Sequence, residues 1–236
     1  MESRIKKVKK LFFSFLFVSS CNIGAFNLQE YSTFYNSGKN SAEESLENVE
    51  SNVWKMSSKI EHSIFQVTQE ATFRIEDNKV FLLNASRKTR AFGGFRREKQ
   101  SFIVNYDKNE IAYEYNKEKG TIPFNCENYS DCRFFDNLTL QIQSKLSLTN
   151  KELPLDLKFN YLDKGKIKEK VFQIENSIDT DLSTDADKIK FSEIRDDDKG
   201  FTLWFDPLIN YTTYKIYQDF GSQDLTWNLQ SKLLEE

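Results

Sequence analysis

Two rhythms of apolar residues follow one another along the first third of the chain. Leu46, Val49, Val53, Met56 and Ile60 recur at spacings of three and four, which puts them on one face of a helix. Ser41-Ala42-Glu43-Glu44 stands just ahead of that stripe and fits a capping box, in which hydroxyl and carboxylate each satisfy an orphan backbone N–H. The pattern predicts an amphipathic helix whose apolar stripe is buried. From Phe65 the period changes to two: Phe65, Val67, Ala71, Phe73 and Ile75 alternate with Gln66, Thr68, Glu70, Thr72 and Arg74, one face apolar and one wet. Leu138, Leu140, Ile142, Leu146 and Leu148 repeat the alternation, as do Leu153, Leu155, Leu157, Phe159 and Tyr161. Shorter versions occur at Phe102-Val104-Tyr106, Ile111-Tyr113-Tyr115 and Phe201-Leu203-Phe205, where in each the named residues are two positions apart.

Short polar turns join these segments, for example Asp107-Lys108-Asn109 and Asp163-Lys164-Gly165-Lys166. Strands joined so tightly are antiparallel neighbours, because a parallel pair needs a crossover of a dozen or more residues. Alternation also means that each strand has one solvated face or lines a cavity. The expected fold is mostly β, in the α+β class. An N-terminal amphipathic helix packs on an antiparallel β-meander of about eight to ten strands, arranged as a half-barrel or a sandwich. Residues 222–234 read equally as a short helix or a last strand.

The stretch KKVKKLFFSFLFVSSCN ahead of this domain has a different character. Arg4, Lys6, Lys7, Lys9 and Lys10 precede the apolar run Leu11–Val18, which is far shorter than the roughly 20 residues of a membrane-spanning helix. A charged start, a short apolar core and small residues after it are the parts of a secretory signal peptide. Val18-Ser19-Ser20-Cys21 resembles the lipobox of bacterial lipoproteins, in the looser form seen in spirochaetes. The resemblance implies cleavage before Cys21 and a diacylglycerol on its sulfur, with palmitate-type acyl chains. Two other readings stand beside it: ordinary cleavage after Ala25, or an uncut interfacial anchor. The domain plan is then a lipoprotein signal peptide at 1–20, a flexible tether at 21–40 and a single β-rich domain with an N-terminal helix at 41–236. Asn22, rather than an aspartate, follows the cysteine; by the same resemblance this favours the outer membrane, on its periplasmic or its external face.

Net charge is −3, and residues 1–20 carry a net four positive charges, so the remainder stands near −7. An acidic body argues against nucleic acid or an anionic membrane surface as main partner. The cluster Arg87, Lys88, Arg90, Arg96, Arg97, Lys99 is the local exception, read as solvated hairpin residues or as a heparin-like or phosphate patch. Abundant phenylalanine (21) and tyrosine (10) suit a packed sheet, and little glycine (8) or proline (3) argues against a disordered or collagen-like chain.

Little in the sequence points to catalysis. His62 is the one histidine, so there is no His-rich zinc site and no second candidate for a Ser-His-Asp or Cys-His pair; it is expected as a capping or surface group at the end of the helix. Setting Cys21 aside leaves Cys126 and Cys132, an even pair expected to form a disulfide after export. Gly93-Gly94 reads as a bend. Asp179, Asp181, Ser183, Asp185 and Asp187 sit at every second position, as in the first half of a calcium loop. Thr184 replaces the glycine of the sharp turn and Lys190 the bidentate glutamate, so the run reads as a solvated acidic loop, with a weak calcium site left open. No catalytic, metal or cofactor-binding residue is assigned, and no cofactor is expected.

Residues 42–116, with GFRREKQSFIVNYDKNEIAYEYN at their middle, resemble the LolA/LolB lipoprotein-carrier family. Phe95-Arg96 matches the Phe-Arg of that family, and Ile103–Tyr115 its strand, turn and aromatic strand. The family's Arg-Pro ahead of the Phe-Arg and its following tryptophan are absent. The resemblance implies an unclosed barrel covered by helices, with an apolar concavity that shields acyl chains. Two functional expectations result: a non-enzymatic, membrane-anchored binding or structural module of the cell envelope with a protein partner, or a carrier of lipids or lipoproteins.

Overall fold

The computed structural model describes residues 28–128, 131–149, 156–177, 188–195, 200–219 and 224–234. Cys21, the expected signal peptide and the Asp179–Asp187 run lie outside the described residues. The chain first forms β1 (Tyr31–Ser37), β2 (Asn40–Glu50), β3 (Val53–Glu61), β4 (Phe65–Glu76), β5 (Lys79–Ala91), β6 (Arg96–Asn105), β7 (Glu110–Tyr115) and β8 (Glu118–Pro123). After a loop come β9 (Phe134–Phe135) and the helix α1 (Asn137–Thr149). The second half holds β10 (Asp156–Asp163), β11 (Lys166–Ser177), β12 (Lys188–Glu193), β13 (Thr202–Asp206), β14 (Thr212–Asp219) and β15 (Asp224–Leu234).

All fifteen strands share one sheet, in the order β8-β7-β6-β5-β4-β3-β2-β1-β15-β14-β13-β12-β11-β10-β9. Every pairing is antiparallel except the short β9–β10 ladder. The chain meanders outward from β1 to one edge at β8, crosses to the other edge at β9, and meanders back until Leu234 lies opposite Tyr31. The sheet is not closed by hydrogen bonds. Instead its edges meet through side chains: Phe134 of β9 packs on Phe124, just past β8, with ring centroids 4.7 Å apart.

Three expectations are corrected. The predicted helix at 41–61 is the β2–β3 hairpin, turning at Ser51-Asn52 with Ser51 at φ 37°. Its 3–4 stripe is accidental, since Val49 is exposed while the inward ladder is Ala42, Glu44, Leu46 and then Met56, Ser58, Ile60. Polar residues in the middle of each inward set hide the period of two. Conversely, the predicted strand at 138–148 is α1, the one α-helix among the described residues. It is buried on nearly all sides, Gln141, Gln143, Ser144 and Lys145 included, so no polar face marks its 3.6-residue period. The third correction concerns the tether, whose described part contains β1, paired on both sides by β2 and β15. Residues 224–234 resolve to a strand, and the strand count exceeds the eight to ten expected.

Asp136 starts the helix. Its carboxylate accepts the Thr139 N–H at 2.9 Å, and the Thr139 hydroxyl accepts the Asp136 N–H at 3.0 Å, a reciprocal cap. From there α1 runs down the inside of the curled sheet. Its Gln141 meets Glu44 of β2, and Gln143 accepts the Val80 N–H of β5 at 2.9 Å. Phenylalanines fill the space on the second-half side: Phe135, Phe159, Phe172 and Phe191 form a chain of ring contacts with centroids 4.7–5.7 Å apart. At about 25 cal/mol per Å² of apolar surface, such a buried aromatic column is a main source of stability. No helix among the described residues is long and apolar enough to cross a bilayer.

Candidate functional site

Because α1 occupies the concavity, little space remains beside it: cavities of about 20 and 10 Å³, each with room for a water at most. The larger opening lies at the helix N-terminal end. There a cleft of about 560 Å³ opens between the β3–β4 turn, the β5–β6 hairpin, the β10–β11 turn and the segment between β12 and β13. Asn137, first residue of α1, forms part of its floor and accepts the Tyr161 hydroxyl at 2.7 Å. Burial, above all, pushes the Tyr161 phenol upward, and it stays protonated as a donor.

One wall is apolar, made by Ile60, Ile64, Phe65, Val67 and Phe201. Strand alternation sets the other. Arg87, Thr89 and Ala91 of β5 point inward, as do Arg96 and Glu98 of β6, so Lys88, Arg90, Arg97 and Lys99 point outward. The basic cluster seen in the sequence is thereby divided between two surfaces. Lys164, Lys168, Lys170 and Arg195 complete the cations, set against Glu98, Asp163, Glu169 and Glu193. Six cations to four acids leave the cleft net positive on an acidic chain.

Arg87 is the centre of this network. Its guanidinium reaches Glu98 at 3.2 Å and Asp163 at 3.4 Å, joining β5 and β6 to the end of β10 across the inside of the curl. Burial works against its charge, but the surrounding Tyr161, Asp163 and Glu98 raise its pKa nonetheless. Asp163 is likewise opposed by burial, yet Lys168 at 2.7 Å, with Arg87, holds its carboxyl below the usual range. Lys170 lies 3.0 Å from Glu193; burial outweighs that partner and lowers its pKa. Gln100 accepts the Lys164 N–H at 3.1 Å, and Gly165, at φ +70°, sits against the Tyr113 ring. These contacts latch the β10–β11 turn onto β6 and β7.

The sites named from sequence fall as follows. Cys126 and Cys132 form a disulfide with Cα atoms 4.9 Å apart, in the loop that carries the chain from edge β8 to edge β9. Arg133 beside it pairs with Asp131 and donates to Gln143 of α1 at 2.6 Å, so the bridged loop is tied to the helix. His62 lies in the β3–β4 turn rather than at a helix end, stacked on Phe65 at 4.4 Å. Gly93 and Gly94 do make a bend, with φ of 65° and 96°. The lysines of the cleft were not singled out in the sequence, although Lys164, Lys166, Lys168 and Lys170 at every second position were a visible signal.

No family model matches the chain, and no curated protein matches it. Among solved structures it is similar to a crystal structure of a β-barrel-like protein of a domain of unknown function, DUF1849, from Brucella abortus. The match has a TM-score of 0.55 at 8% identity and covers 90% of this chain and all of that one. Identity so low makes this a likeness of fold alone, spanning nearly the whole chain.

Proposed function

We propose that this chain is a lipid-anchored protein of the cell envelope whose folded domain is a non-enzymatic binding module, and that it holds a segment of a protein partner in the cleft at the N-terminal end of α1. One observation carries the reading: a 560 Å³ opening that is net positive and has an apolar wall. Such a site fits an extended segment that offers acidic side chains to Lys168, Lys170 and Arg96 and an apolar one to Phe65 and Phe201. The anchor rests on the lipobox resemblance around Cys21. The carrier alternative has less support, because α1 and the phenylalanine column occupy the concavity that acyl chains need.

Photo-crosslinking in intact cells tests the binding. A benzophenone amino acid at Arg96 is expected to yield one discrete protein adduct, and the same group at Asn52, at the far end of the sheet, none. Lipid adducts alone, or the same adducts from both positions, refute it. The anchor is tested separately by mass spectrometry of the native N-terminus, where an acylated Cys21 is expected and an intact Met1 speaks against it.

A further inference from the structure

We propose that the outer face and apex of the β5–β6 hairpin form a docking surface for an anionic lipid bilayer. This surface is distinct from the cleft and goes beyond the binding reading above. Two cross-strand pairs carry the argument. Lys88 lies directly opposite Lys99, and Arg90 directly opposite Arg97, all four on the outward face. Like charges placed opposite one another destabilise a strand pair, and two consecutive pairs do so twice. Their neighbours relieve them little. Gln66 faces Arg90 from β4 and Thr68 faces Lys88, while Glu114 pairs with Lys99 at 3.2 Å. Neither Arg90 nor Arg97 makes an ion pair among the described residues; Arg97 donates only to the Gly94 carbonyl at 3.3 Å.

Directly beyond these pairs the hairpin turns at Gly93-Gly94 and presents Phe95, 98% exposed, the most exposed large apolar side chain among the described residues. Ile64, 37% exposed, stands on the adjacent β3–β4 turn. A bare aromatic apex with arginines one step behind it matches a bilayer in both layers, ring at the acyl boundary and cations at the phosphates. A nucleic acid or an acidic protein surface uses the cations but leaves no apolar depth for Phe95. The net negative body keeps the rest of the domain off such a surface and orients the hairpin toward it.

The test uses the full chain with Cys21→Ser, so that a thiol placed by Phe95→Cys is the one free label site beside the Cys126–Cys132 disulfide. An environment-sensitive dye at position 95 is expected to shift to the blue on vesicles of phosphatidylcholine with phosphatidylglycerol, and not on phosphatidylcholine alone. Adding Arg90→Gln and Arg97→Gln is expected to raise the lipid concentration for half the shift by about 30-fold, with an unchanged circular dichroism spectrum. The same dye at Asn52→Cys, at the opposite end of the sheet, reports any attachment through the N-terminal segment and is expected to stay unshifted. An equal shift on neutral vesicles, no dependence on the two arginines, or an equal shift with heparin or DNA and no lipid each overturns the proposal.

Discussion

Gln141 of the helix donates to the Glu44 carboxylate of β2 at 2.9 Å, deep inside the curled sheet. Burial pushes Glu44 up to about 7, against the lowering effect of its hydrogen bonds from Gln141 and Tyr35. The folded state therefore holds this proton at pH values where the unfolded chain has released it, and stability falls as pH rises from about 4.5 to about 7. Glu44→Gln keeps a partner for Gln141 and removes the titration. Urea unfolding is expected to show the variant gaining on the parent by up to about 3 kcal/mol between pH 5 and pH 8. A gain that does not change with pH contradicts this account.

Lys145, also on α1, has the opposite sign. Burial, helped by the nearby Lys232, lowers it to about 7, so its cost is fully present below that pH and is relieved as pH rises toward the unfolded value of 10.5. Lys145→Met is expected to stabilise the protein at pH 6 and to lose that advantage by pH 10, read as the difference in unfolding midpoint.

Arg87 joins the two arms of the sheet through Glu98 and Asp163. Arg87→Met leaves two half-buried carboxylates facing one another and is expected to cost about 2 kcal/mol. Hydrogen exchange checks the mechanism. Amides of the β10–β11 turn, Lys164 included, are expected to lose protection before those of β2 and β3; uniform loss speaks against a latch.

At Gly165 a Cβ would stand 2.6 Å from the Tyr113 ring, at a backbone φ of +70°. Gly165→Ala is expected to cost on the order of 2 kcal/mol, part from the left-handed backbone and part from the clash. Only the clash is relieved by Tyr113→Ala, so a double-mutant cycle is expected to show coupling between the two positions. Strict additivity would place the whole cost in the backbone.

Reduction of Cys126–Cys132, or replacement of both by serine, is expected to lower stability by about 2 kcal/mol through the freed loop. Because Arg133 ties that loop to Gln143, the loss is expected to appear first in exchange at the start of α1.

Strand alternation after Phe65 made the β-rich class and several hairpins readable from the sequence, and the cysteine count made the disulfide readable. The helix and the β2–β3 hairpin were exchanged for one another, and a single cause accounts for both errors. Inside this sheet the helix and the strands around it meet through polar groups. Glu44 and Ser58 interrupt the inward ladders of β2 and β3, while Gln141 and Gln143 break the amphipathic stripe of α1. A polar layer between two buried elements gives each the sequence rhythm of the other. The cleft was legible in its parts but not as a whole, since Arg87, Phe201 and the Lys164–Lys170 run are brought together only by the curl.

Glu30 accepts the Asn48 N–H at 2.7 Å, so the polypeptide enters the fold beside the β2–β3 turn, and β15 ends at that same level with Leu234 opposite Tyr31. Cleft and Phe95 lie at the other end, a distance set by the twelve residues of β4, roughly 40 Å. Nine residues lead from Cys21 to Glu30, a reach of roughly 30 Å at full stretch. With the anchor proposed at Cys21, a molecule standing upright on it would offer its open end to whatever lies across the gap, and would have to lie down on its side to touch the surface that holds it.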